Sequence, residues 1–335
     1  MTDWYIKDEC FKKLAPLCDL RATFEQRTGG LTTLERLTKK MGCSPSGFLC
    51  DDELRAPMIT HRTGLSHVTD NKKIEVDLSV IESPWDILDQ LPILLQHDLE
   101  HAEPLEGGSE VSSFGPHRID VHSTAILLPG VVLDASQGAI RIEEGAVIRP
   151  NAVICGPCWV GNNSTVIDGA RIKPMTSIGP WCKIGGEVGG TVFQAFANKS
   201  HDGHLGDSVI GEWVNFGAGT TNSNLLNTYG NAIATDLDGK RHRTGRQYVG
   251  CFVGDHVKLA IETRIMTGTI IGTGAMVATT QPALSPTPRF AWLTDNGSRT
   301  YAIDKFIDVA RTVMKRRDRE LDSATEAVLR SLASE

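Results

Sequence analysis

The chain has 335 residues, 40% hydrophobic and 22% charged, an ordinary globular balance with length for about two domains. A formal charge of -7 excludes the basic footprint of a nucleic-acid binder, and the start, MTDWYIKDEC, lacks the basic-then-apolar plan of a signal peptide. Nowhere do about 18 apolar residues run together, so the reading is a cytoplasmic protein with no membrane segment, its eight cysteines reduced.

Residues 1–105 read as a small α/β module. Thr32-x-x-Glu35 is a capping box that opens a short helix, Gly42 ends it, and Pro84-Trp85-Asp86 precedes a helix reaching about His101. That helix carries His97-Asp-Leu-Glu-His101, an inverted zinc-protease string, but no third ligand accompanies it and no metal is assigned. Arg21, Arg27 and Lys39 read as a solvated charged face rather than as a phosphate site. Residues 106–118, which take in most of the run PLEGGSEVSSFGPH, read as a linker.

From residue 119 to 282 a six-residue period takes over. Ile142, Ile148, Ile154, Val160, Val166, Ile172, Ile178 and Ile184 form an unbroken series of aliphatics, and Ala146, Ala152, Cys158, Ser164, Ala170, Thr176 and Cys182 follow each of the first seven by four residues. The code returns at Val253, Leu259, Ile265, Ile271 and Val277. A period of six fits neither helix nor simple strand alternation; it fits a triangular coil of three six-residue faces, with the aliphatic inside and the small residue at a corner. Cys155-x-x-Cys158 is explained by this pattern without a metal or redox role, since Cys158 is a corner residue. Two interruptions, Gly186–Gly211 and Asn222 to about Tyr248, read as loops leaving the coil, where binding residues usually gather. Trp213, Phe216 and Phe193, near those loops, read as apolar residues that an interface with another chain would cover.

After Thr280 the run QPALSPTP breaks regular structure, and residues 283–335 read as a C-terminal extension. Ile303, Phe306, Ile307, Ala310, Val313 and Met314 share one helical face, and a second capping box, Ser323-x-x-Glu326, opens a last helix. The fold class expected is mainly β: a left-handed parallel β-helix of hexapeptide repeats with a small N-terminal α/β module and C-terminal helices.

The segment NKSHDGHLGDSVIGEWVNFGAGTTNSN gathers Lys199, His201, His204, Asn215, Asn222 and Asn224. Histidine suits proton transfer near neutrality and asparagine amides orient sugar hydroxyls, although such groups can equally satisfy loop backbone. His256 and Lys258, in GDHVK, fall in a regular coil and face either an anionic cofactor or solvent. The hexapeptide code and this segment resemble the left-handed β-helix acyltransferases, most closely the acetyltransferase half of the bifunctional N-acetylglucosamine-1-phosphate uridyltransferase/glucosamine-1-phosphate acetyltransferases. GGEV, NKxHDG, GEWVN and GAGTTNS are shared with the GlmU-like sugar nucleotidyltransferases.

The resemblance implies acetyl transfer from acetyl-CoA, without a metal, to an amino-sugar phosphate or nucleotide-sugar. It implies His201 as catalytic base, Asn215 and Asn224 as sugar-binding residues and Ala218 on the side of the cofactor; by their chemistry and place, Lys199 and His204 join the substrate-binding residues and His256 and Lys258 the cofactor side. It also implies a homotrimer with sites shared between subunits. Two departures stand out: His204 replaces a tyrosine, and Gly230 replaces a lysine six residues after the second asparagine. They keep a non-catalytic sugar-nucleotide binding or regulatory protein open as an alternative. Nucleotidyl transfer to a sugar 1-phosphate is the third reading, against which the short module lacks a Gly-rich nucleotide loop.

Overall fold

The computed structural model describes residues 4–9, 11–69, 81–107 and 111–335. Three sheets wind into a parallel β-helix, as the period of six requires: an eight-stranded sheet from Ile119–Val121 to Thr269–Ile271, a ten-stranded sheet beginning at Ile126–Leu127, and a six-stranded sheet ending at His204–Gly206. Consecutive coils pair in parallel at a spacing of 18 residues, as in Ile142 beside Val160 beside Ile178. The eight aliphatics from Ile142 to Ile184 are fully buried, as are all seven of their small corner partners. The second series, Val253 to Val277, fills the far end of the same interior. Of the stretch read as a linker, residues 108–110 lie outside the described residues, and Ser112–Phe114 pairs with Val132–Asp134 as a first strand.

The first expected loop is no loop. Residues 186–211 continue the solenoid as the strands Glu187–Gly189, Val192–Phe193, Asn198–Lys199, His204–Gly206 and Val209–Ile210. The coil has shortened here: Ile178 pairs with Phe193 and Ile184 with Lys199, 15 residues on, and Val188 pairs with Leu205, 17 residues on. Two residues are dropped between Ile184 and Val188 and one between Val188 and Phe193, which resets the phase while leaving the sheets intact, so a strict count of six loses the row that Val188, Phe193, Leu205 and Ile210 still fill. The second interruption is a true insertion, an antiparallel hairpin of Ile233–Thr235 with Arg241–Arg243. Phe193 and Phe216 lie inside the prism, and Trp213 is 6% exposed in an aromatic stack, so none of the three needs a neighbouring chain to bury it.

The module wraps around the β-helix. Helix α1 (Thr33–Met41) has the expected box, Thr32 accepting from the Glu35 amide, and ends at Gly42 with φ 70°. Helix α2 (Ala56–Thr63) and helix α3 (Asp86–Glu100) follow; α3 lays Leu88, Leu91 and Leu95 on the outer side of the eight-stranded sheet with Trp159 and Phe252. His97 and His101 stack on one another while Asp98 turns inward to a two-pronged bond with Arg36, 2.7 Å on each arm. At the other end, helix α4 (Ile303–Lys315) and helix α5 (Ser323–Leu332) share a core with the module, Phe306, Ile307 and Leu329 packing with Trp4, Phe24 and Phe48. The cap of α5 is Asp322, which accepts from the Thr325 amide, one residue before the expected Ser323.

Arg21 and Arg27 are buried rather than solvated. Arg21 reaches Asp255 of the β-helix at 2.6 Å, and Arg62 joins Glu212 of the β-helix to Glu25 of the module at 2.9 and 2.8 Å. Buried opposite charges of this kind are costly to break, because removing one strands the other. Of the eight cysteines, Cys10 lies outside the described residues and the other seven are free thiols. No helix among the described residues is long and apolar enough to cross a membrane.

Candidate functional site

The polar segment singled out in the sequence lies where the ten-stranded and six-stranded sheets meet. Lys199 stands in register with Ile184, in the row that elsewhere holds aliphatics, and is 1% exposed. Its Nζ donates to the carbonyls of Gly185, at 3.2 Å, and His201, at 2.6 Å. Burial drives its pKa down to about 8, with Asp202 opposing the shift. The interior lysine therefore pins the turn that carries His201 and touches the site only through that turn.

The His201 side chain is exposed at this corner. One coil on, Asn198 pairs with Asn215, and the Gly219 amide donates to the Asp202 carbonyl at 3.1 Å, so Ala218 sits on the corner beside His201. Gly203 has φ 124°, and a Cβ there would lie 2.1 Å from the Thr220 carbonyl oxygen, so only glycine lets the two coils stack at this turn.

The remaining residues divide between the two faces that meet at the corner. On the six-stranded face, His204 lies 3.3 Å from Glu187, which Arg171 approaches at the same distance. The Asn224 amide donates to Asp207 at 2.7 Å, and burial holds the Asp207 carboxyl above its ordinary value despite that bond. The His204 ring and the Asn224 amide converge over Gly206, where a Cβ would lie 2.7 Å from a nitrogen of each. Asn222 is spent on backbone, bonded to both Gly206 polar groups and to Ser208. On the ten-stranded face Asn215 accepts from Asn198 at 2.7 Å and lies in register with Lys258. Lys258 donates to the Trp213 carbonyl, and desolvation lowers its pKa to about 8.

His256 is buried, 4% exposed. It ends a column of left-handed residues, Trp181, Phe196, Trp213 and His256, at the corner between the eight- and ten-stranded sheets. Phe196 and Trp213 stack at 4.2 Å, Trp213 and His256 at 6.2 Å, and Phe306 of α4 presents its edge to the histidine. Burial pushes the His256 pKa down to about 3, so the ring is neutral and serves to hold Trp213. Glu187, Asp207 and Asn198 escaped sequence reasoning, since each is a single polar residue with no spacing of its own; Asp207 alone had a signal, in the Leu-Gly-Asp step. Among the described residues no group of three or more His, Cys, Asp or Glu side chains gathers to hold a metal.

No protein-family model matches the chain. A bifunctional sugar-1-phosphate nucleotidylyltransferase/acetyltransferase from Sulfurisphaera tokodaii is 36% identical over 143 residues, covering 42% of this chain and 35% of the relative. The chain is similar to this relative over less than half of its own length. The bifunctional protein GlmU of Methanococcus maripaludis is 33% identical over 142 residues, 42% of this chain and 34% of its own. The chain thus spans about a third of the length of these two relatives. Among solved structures, the polysialic acid O-acetyltransferase OatWY covers 57% of this chain and 87% of its own at 15% identity and a TM-score of 0.21, too loose a superposition to bear on the chemistry.

Proposed function

We propose that the protein is an acyl-CoA-dependent acyltransferase that moves an acetyl group to an amino-sugar phosphate or nucleotide-sugar. The observation that carries this reading is His201, exposed on a turn held by a buried lysine, one coil from Ala218, with the His204 ring and Asn224 amide converging beside it. His201 takes the proton of the acceptor amine as its nitrogen attacks the thioester carbonyl. The backbone N–H of Ala218 polarises that carbonyl, the C–N bond forms, the C–S bond breaks, and the imidazolium returns its proton to the departing thiolate. Asn215, Asn224 and His204 orient the sugar, Lys199 acts through the turn, and Lys258 neutralises charge on the CoA side while His256 holds Trp213.

His201→Ala should lower acetyl transfer by about 10²–10⁴-fold, the usual cost of losing a general base. Its melting temperature should not change, since the side chain is exposed. Thioester cleavage followed with a thiol reagent across amino-sugar acceptors checks this, and undiminished cleavage removes the assignment.

The reading includes a homotrimer, in which each corner site is completed by a neighbouring subunit as a closed cyclic assembly permits. The apolar residues that support an interface are Ile261, 70% exposed on the His201 corner, and Met266, 51% exposed just after the adjoining strand Arg264–Ile265. Light scattering at micromolar concentration should return about three chain masses. Full activity from a monomer would discard the shared site.

A further inference from the structure

The outer side of the ten-stranded sheet carries a second polar feature. In successive coils Lys183 pairs with Asn198, Asn198 with Asn215, and Asn215 with Lys258, so four polar side chains rise in one column. At a strand spacing of about 4.8 Å the two lysines stand roughly 14 Å apart, with the asparagines between them. The end of α4 closes the other side with Val313, Arg316 and Arg317, and Phe196 and Trp213 form the apolar wall. The groove so enclosed has a volume of about 480 Å³.

Its charge is one-sided. Four cations and no carboxylate line it, on a chain whose net charge is -7. Lys258 and Arg317 donate only to the carbonyls of Trp213 and Trp181, and none of the four cations makes an ion pair among the described residues. Gathering unneutralised like charges against a low-dielectric wall raises the energy of the folded chain unless an anion occupies the space. The two asparagines add amide donors, and Arg316 and Arg317 bring forked donors that suit phosphate oxygens.

We infer that this groove binds the diphosphate of an extended phosphate ester, with Lys183 and Arg316 at one end and Lys258 at the other. The inference rests on the proposed function only through Lys258 and Asn215, and deepens it by naming the group recognised. Both CoA and a nucleotide-sugar carry such a diphosphate, and competition separates them.

The probe is inorganic pyrophosphate, titrated by calorimetry into the full chain. Lys183→Glu with Arg316→Glu, both exposed and unpaired, should weaken binding by about tenfold or more. Lys39→Glu with Lys40→Glu, on α1, should leave it unchanged. Displacement of pyrophosphate by CoA, or by UDP-N-acetylglucosamine, supports the inference and names the source. Absence of binding at millimolar pyrophosphate, equal binding by the groove variant, or displacement by neither ester overturns it. None of these readouts needs turnover, so a chain that binds pyrophosphate here but cleaves no thioester would sink the acyltransferase reading and leave the groove standing.

Discussion

Lys199 shows how far residue type can mislead when position is not known. In the sequence it is a polar member of a polar motif and reads as a substrate contact; in the structure it occupies an aliphatic row because the coil before it is three residues short. No residue in the sequence marks that shortening. His201, His204, Asn215 and Asn224 were legible because their motif is continuous, and the structure sets them on two faces and the corner between. A lysine whose pKa falls from 10.5 to about 8 on folding binds fewer protons folded than unfolded across that interval. Stability therefore carries the whole penalty below pH 8 and recovers as pH rises toward 10.5. Replacing Lys199 with methionine should remove this residue's share of the rise, at most on the order of 3 kcal/mol. Urea unfolding of both chains at pH 8 and pH 10.5 measures it; equal slopes would show that the ammonium is not confined as described. Lys258 titrates alike and stays in both chains, so the difference belongs to Lys199.

At the level of elements, the aliphatic rows carried the fold. Every position of the Ile142–Ile184 series is interior, because six residues per face is a covenant between backbone geometry and a side chain that must point inward. What the rows could not convey is where the outer surfaces are covered, since outward residues of a coil have no period of their own. The module finds its place through particular fits. Gly30 lies against Trp159 on the eight-stranded sheet so closely that a Cβ would come within 2.1 Å of the indole ring. Gln194 accepts from the Arg27 amide at 2.9 Å on the same seam. Gly30→Ala must displace either the tryptophan or the module, at a cost of about 1–3 kcal/mol, typical of overpacking. Denaturant midpoints together with Trp159 fluorescence would register both effects. A midpoint equal to that of the parent chain would mean that the seam is looser than drawn.

Across the whole molecule, the two ends of the chain depend on each other. Trp4, Ile6, Phe24 and Phe48 are buried only together with Phe306, Ile307, Val328 and Leu329. Removing residues 321–335, and with them α5, should expose the module to proteolysis while the central coils keep their amide protection, because each coil needs only its neighbours. Hydrogen exchange resolved by segment reads both outcomes, and uniform loss of protection would mean that the solenoid also leans on its C-terminal cap. The arrangement sets a timetable for biosynthesis. At 5–20 residues per second, roughly a quarter of a minute to a minute separates emergence of Phe48 from the ribosome and arrival of its partner Leu329. Throughout that interval the coils can stack one upon another as they appear, while Trp4, Phe24 and Phe48 wait uncovered. Trp4, Phe24 and Phe48 are made well before the helices that cover them, which gives a chaperone a long opportunity at that core.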